Sequence, residues 1–77
     1  MEVQDRIKRV MSEVFEISLE NITDETSTDT VDSWDSLKHM NLIIALEEEF
    51  NIQTSDNEII EMINYPLIKN IIIEKFD

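Results

Sequence analysis

Trp34-Asp35-Ser36-Leu37-Lys38-His39-Met40-Asn41-Leu42-Ile43-Ile44-Ala45-Leu46-Glu47-Glu48-Glu49-Phe50 is the stretch whose periodicity decides the fold. Leu42, Leu46 and Phe50 repeat every four residues with Ile43 beside them, which is one face of a helix turned toward a core. Leu37, Met40 and Ile44 form a second apolar line, at spacings of three and four, rotated away from the first. Both lines together would crowd a thin core, so the second is expected as exposed apolar surface. The alternative is that Met40 and Ile44 pack under the loop preceding the helix. The helix is expected to start within a residue or two of Asp35 or Ser36 and to end near Phe50. That start puts the Ser36 hydroxyl at a helix mouth, where unpaired N–H groups and the positive end of the macrodipole favour an esterified phosphate.

Outward from this helix, the chain reads as all-α. Val3, Ile7, Val10, Met11 and Val14 lie on one face of a first helix. Ile17, Leu19 and Ile22 are expected to anchor a turn that folds the chain back on it. Thr23 to Ser33 is almost wholly Thr, Ser, Asp and Glu, with Val31 the apolar exception, and reads as a long loop. Beyond Phe50, Ser55 and Glu58 have the spacing of a capping box and open a short helix carrying Ile59, Ile60, Met62 and Ile63. Pro66 suits the first turn of a last helix, capped by Asn64 or Tyr65, with Leu67, Ile68, Ile71, Ile72 and Phe76 packing inward. The β-branched run Ile71-Ile72-Ile73 would also suit a strand, but no second alternating segment is present to pair with it. The expectation is three main helices plus one short helix, with the long loop between helices one and two.

Asp35-Ser36-Leu37, joined to Ala45-Leu46-Glu47-Glu48-Glu49-Phe50, resembles the prosthetic-group site of the acyl carrier proteins, and the pattern of helices and loops is similar from about Arg6 to Phe76. The resemblance implies a four-helix acyl-carrier-type bundle, with residues 1–77 as a single carrier domain. It implies that a separate phosphopantetheinyl transferase, using coenzyme A and Mg²⁺, attaches 4'-phosphopantetheine to Ser36, with Asp35 and Leu37 flanking the site. Acyl or aminoacyl intermediates would then ride on the arm as thioesters in fatty acid, polyketide or a related dedicated biosynthetic pathway. Loading ligases and acyltransferase or synthase enzymes with basic docking patches would meet Asp35, Leu37, Met40, Ile44, Glu47 and Glu48. A refuge for the acyl group is expected between helix two and the later helices, lined by Leu46, Ile59, Met62 and Ile68, at about 0.8 kcal/mol per buried CH₂.

Several positions depart from the family pattern. The chain has no glycine, so Ser33 stands where fatty-acid-type carriers commonly have one, and Trp34 replaces a small residue. Trp34 is expected either to cover the end of the core or to stack on the prosthetic arm. Lys38, His39 and Asn41 make the start of the recognition helix less negative than in many fatty-acid-synthase carriers, which makes a dedicated pathway, such as polyketide, aminoacyl or cell-surface precursor synthesis, at least as plausible as fatty acid synthesis.

Composition narrows the remaining classes. Eighteen acidic and six basic residues among 77 give a formal net charge of −12, which repels nucleic acid and anionic lipid and suits basic protein partners. There is no cysteine, hence no disulfide framework and no thiol nucleophile. The N-terminus lacks a basic region followed by an apolar run, and no apolar stretch is long enough to span a bilayer, so a cytoplasmic monomer is expected. Asp35, Ser36 and His39 invite a triad reading, but the order of contacts is wrong and one histidine leaves little chemistry; His39 reads as a surface imidazole and the chain as no enzyme. Asp24, Glu25, Asp29 and Asp32 crowd one loop without the alternation or the glycine of a calcium loop, so no metal site is expected. A small acidic helical adaptor or cation-binding protein without a prosthetic group is the alternative, and it leaves the placement of Ser36 unexplained.

Overall fold

The computed structural model describes residues 2–76; Met1 and Asp77, part of the expected 1–77 span, lie outside the described residues. Among the described residues four helices follow one another: α1 (Val3–Phe15), α2 (Ser36–Phe50), the short α3 (Asp56–Glu61) and α4 (Tyr65–Phe76). A single 3-10 turn, Leu19–Asn21, follows α1. The run Ile71-Ile72-Ile73 is helical, because Ile68 and Ile72 meet the core one turn apart and no strand partner competes for their backbone.

The core lies where α1, α2 and α4 converge. Ile7 and Met11 from α1, Leu42 and Leu46 from α2, and Ile68 and Ile72 from α4 are all fully buried. α1 packs chiefly against α2. Two expected inward residues of α4, Leu67 and Phe76, are instead 37% and 44% exposed, since a helix seated on one side of a small bundle buries only the stripe carrying Tyr65, Ile68 and Ile72. Leu19 is likewise exposed, and the fold-back after α1 is anchored by Ile22.

Polar residues define where each helix begins. The capping box of α3 is complete: the Ser55 hydroxyl accepts from Glu58 N, and Ser55 N donates to Glu58 Oε1. Asn64 caps α4, its Oδ1 accepting from Leu67 N at 2.9 Å. The C-terminal stops of α1 and α2 are Glu16 and Asn51, both left-handed, at φ 57° and 54°. α3 ends at Glu61, so Met62 is its C-cap and Ile63 lies beyond it.

The long loop is pinned rather than open. Buried Thr26 donates its hydroxyl to Asn21 O and accepts from Thr23 N. Tyr65 N donates to Thr26 O and Thr28 N to Ile63 O, and an isolated antiparallel bridge joins Ser27 to Asn64. Val31 and Trp34 then turn into the core, and the chain enters α2 from a fixed direction.

Candidate functional site

Ser36 is the first residue of α2 and is exposed. Asp35 is the N-cap: its Oδ1 accepts from Lys38 N at 2.8 Å, while its carbonyl accepts from His39 N. The N–H groups of Ser36 and Leu37 precede the first intrahelical bond, so a phosphodiester on the serine hydroxyl would meet free donors and the helix dipole. The residues present fit a phosphate-linked arm.

Both sides of this turn are fixed by bonds to other elements. Toward α1, Lys38 Nζ donates to Val14 O at 3.1 Å and Ser33 Oγ donates to Phe15 O, so two residues flanking Ser36 satisfy carbonyls at the end of α1. The Lys38 charge is therefore spent on α1, with Glu16 at 3.9 Å. Toward α3, Trp34 Nε1 donates to His39 Nδ1 at 3.0 Å, and His39 Nε2 lies 2.8 Å from Ile59 O. His39 is thus no free surface imidazole: its ring is half-buried and uses both nitrogens. Trp34 is buried with its ring centroid 4.7 Å from that of Phe15, and of its two expected roles it takes closure of the core.

Beside Ser36 runs a groove of about 520 Å³, walled by Trp34, Met40, Ile59, Ile60 and Ile63. It lies between the start of α2 and the end of α3. Of the four residues expected to line an internal refuge, Ile59 reaches this groove, whereas Leu46, Met62 and Ile68 are fully buried in the packed core. These three therefore pack in the core instead of lining a pocket.

The second apolar line of α2 is exposed, Leu37 at 71%, Met40 at 45% and Ile44 at 51%, so Met40 and Ile44 do not pack under the preceding loop. Glu48 is exposed, whereas Glu47 is half-buried and its Oε2 accepts from both Thr54 N and Thr54 Oγ1 at 2.9 Å. Glu58 on α3 has its carboxyl held below the ordinary value of 4.5, first by the Ser55 backbone N–H and then by Lys75, 3.0 Å away. Among the described residues no group of three acidic or histidine side chains is gathered to hold a metal ion. Among them, too, no helix is long and apolar enough to cross a membrane.

An exposed serine at a capped helix start, beside an apolar groove, is the arrangement by which known proteins can be compared. Residues 5–66 match the phosphopantetheine attachment site family. The chain belongs to the acyl carrier protein family. Among its relatives, the acyl carrier protein of Buchnera aphidicola subsp. Acyrthosiphon pisum (strain Tuc7) is 42% identical over 56 residues, covering 73% of this chain and 70% of that protein. The acyl carrier protein of Buchnera aphidicola subsp. Schizaphis graminum (strain Sg) is 39% identical over 56 residues, covering 73% and 71%. The solution structure of the holo acyl carrier protein from Geobacter metallireducens superposes with a TM-score of 0.84 at 32% identity, covering 97% of this chain and 86% of that one. The expected all-α acyl-carrier-type bundle is therefore the fold, and the chain is a carrier of acyl intermediates with phosphopantetheine as its prosthetic group. Such carriers serve biosynthetic enzymes rather than catalyse on their own.

The Trp34–His39–Ile59 connection is not encoded in any apolar periodicity. A signal was present: a tryptophan just outside a helix start brings an N–H donor that must find an acceptor once the ring is buried, and His39 is five residues on.

Proposed function

We propose that Ser36 is the attachment point and that residues 1–77 act as one non-catalytic, cytoplasmic carrier domain for acyl or aminoacyl thioesters in a dedicated biosynthetic pathway. What carries this reading is the exposed Ser36 at the capped start of α2, opening directly onto the apolar groove. In the modification, the Ser36 hydroxyl oxygen attacks the phosphorus bearing the pantetheine in coenzyme A. A phosphodiester forms, the pyrophosphate P–O bond breaks, adenosine 3',5'-bisphosphate leaves, and the hydroxyl proton passes to a base on the transferase. When bound, the arm supplies the thiol that holds the cargo.

The chain's own residues then position and present. Asp35 fixes the first turn, and the free N–H groups of that turn face the phosphodiester. Met40, Ile60 and Ile63 shield the thioester end of the cargo. Asp35, Leu37, Met40, Ile44 and Glu48 meet partner enzymes through basic patches rimmed with apolar surface, while Glu47 contributes through the α2–α3 loop that it holds in place. Lys38 turns away from this face, which keeps it acidic despite a lysine beside the serine.

The test is intact mass after incubation with coenzyme A, Mg²⁺ and a broad-specificity phosphopantetheinyl transferase. One phosphopantetheine is gained by the wild type and none by Ser36→Ala. A gain that persists in Ser36→Ala would place the arm elsewhere.

A further inference from the structure

Three observations converge on the wall between α2 and α3. First, an indole N–H can only donate, so His39 Nδ1 carries no proton and Nε2 carries the one that reaches Ile59 O; a single neutral ring spans the two helices. Second, α3 is one short helix of six residues with no fully buried side chain, so a link of this kind counts for more there than it would in a longer helix. Third, Leu42 of α2, Met62 at the C-cap of α3 and Ile68 of α4 are fully buried, so an apolar chain entering among these helices must displace packed side chains, which an outward movement of α3 would allow. That movement would break the bond from His39 Nε2 and leave the Ile59 carbonyl without its donor, while the Trp34–His39 bond stays with α2.

We propose that His39 is a positioning residue that selects the cargo. By bridging Trp34 to Ile59 it holds α3 against the first turn of α2, so short acyl or aminoacyl groups lie in the surface groove and long apolar chains are kept out of the helical interior. The inference rests on Ser36 being the attachment point. It assigns the groove, bounded by Met40, Ile60 and Ile63, as the place of the thioester and of the first few atoms of the cargo.

Acetyl-, octanoyl- and dodecanoyl-phosphopantetheine are loaded from the matching coenzyme A thioesters onto wild type, His39→Ala, His39→Gln and Trp34→Phe. Loss of each thioester to water, which releases the carboxylic acid and the free arm thiol, is followed by intact mass. The indole N–H and the His39 Nε2–H that reaches Ile59 O are followed by NMR in parallel. In the wild type the three thioesters decay at rates within about twofold of one another, because the groove covers the same first atoms of each and the longer chains gain no further burial. In His39→Ala, where the bridge is gone, the dodecanoyl thioester persists roughly tenfold longer than the acetyl one, as shielding of a few methylenes would give. His39→Gln has an amide that can accept from Trp34 and donate to Ile59, and it returns the wild-type pattern. Trp34→Phe keeps the ring packing without the donor and moves toward the alanine pattern.

The proposal is overturned if the wild type protects the dodecanoyl thioester while the His39 Nε2–H bond to Ile59 stays in place, or if the alanine and glutamine variants behave alike. Failure of every form to gain mass would refute Ser36 as the attachment point instead.

Discussion

At its C-terminal end α2 is locked: Phe50 is buried, Phe76 meets it edge-on at 5.2 Å, and the Arg6 guanidinium sits 4.5 Å over its ring. Arg6 also donates to the side chain and the carbonyl of Glu49, at 2.8 and 2.7 Å. Some 20 Å away along the same helix, at about 1.5 Å per residue, the N-terminal end leaves Leu37 and Met40 in solvent and relies on separate hydrogen bonds from Ser33, Lys38 and His39. On α2 itself, one end buries its last aromatic side chain and the other keeps its first apolar side chains in solvent, with a few directed polar links and the neighbouring Trp34 holding it to the core. The difference teaches how a very small bundle can stay folded while its working end is remodelled: directed bonds at the surface can be exchanged without emptying the core.

Substitutions at the two ends would break or sharpen this contrast. The largest effect is expected from Phe50→Ala, which empties the locked end and should cost about 3–5 kcal/mol, read as a drop in the urea midpoint. A loss below about 1 kcal/mol, an ordinary surface-like value, would mean that the lock is not what holds the fold.

Next comes the α3 wall, through Glu58. Its folded-state carboxyl lies below the ordinary 4.5, so the stabilisation is fully present above that pH and is lost as pH falls through the lowered folded-state value. Glu58→Gln should be less stable than wild type near neutrality by under about 1 kcal/mol, since the Lys75 pair is partly solvated, and the gap should close below pH 4.5. Thermal denaturation of both proteins across acidic pH reads this directly, and a gap that widens in acid would contradict the sign.

The smallest stability effect is expected at the open end. Met40→Ala should leave the melting temperature almost unchanged, within about 0.5 kcal/mol, while slowing acyl transfer from a cognate loading enzyme. If Met40→Ala destabilised as much as Phe50→Ala, the two ends would not differ in the way described.

What could be read from the chain follows the same division. Leu42, Leu46 and Phe50, the Ser55–Glu58 box and the Asn64–Pro66 start depend on local spacing, and all are found as expected. The inward turn of Lys38 to α1, the Glu47 bonds to Thr54 and the bridge through His39 join residues across elements. No periodicity encodes such partners, because a long polar side chain chooses among acceptors only after the helices are placed. Leu67 and Phe76 were expected inward for a related reason: hydrophobicity marks a residue as suited to burial, and the limited surface of a small core decides which ones achieve it.

Glu16 and Asn51 end two helices in a left-handed conformation that a glycine would adopt with less strain, in a chain that contains none. Every position therefore carries a Cβ that narrows the backbone's choices before folding begins, and the ring of Pro66 narrows its own further. The denatured ensemble is smaller than glycine hinges would make it, and a modest core has less disorder to overcome.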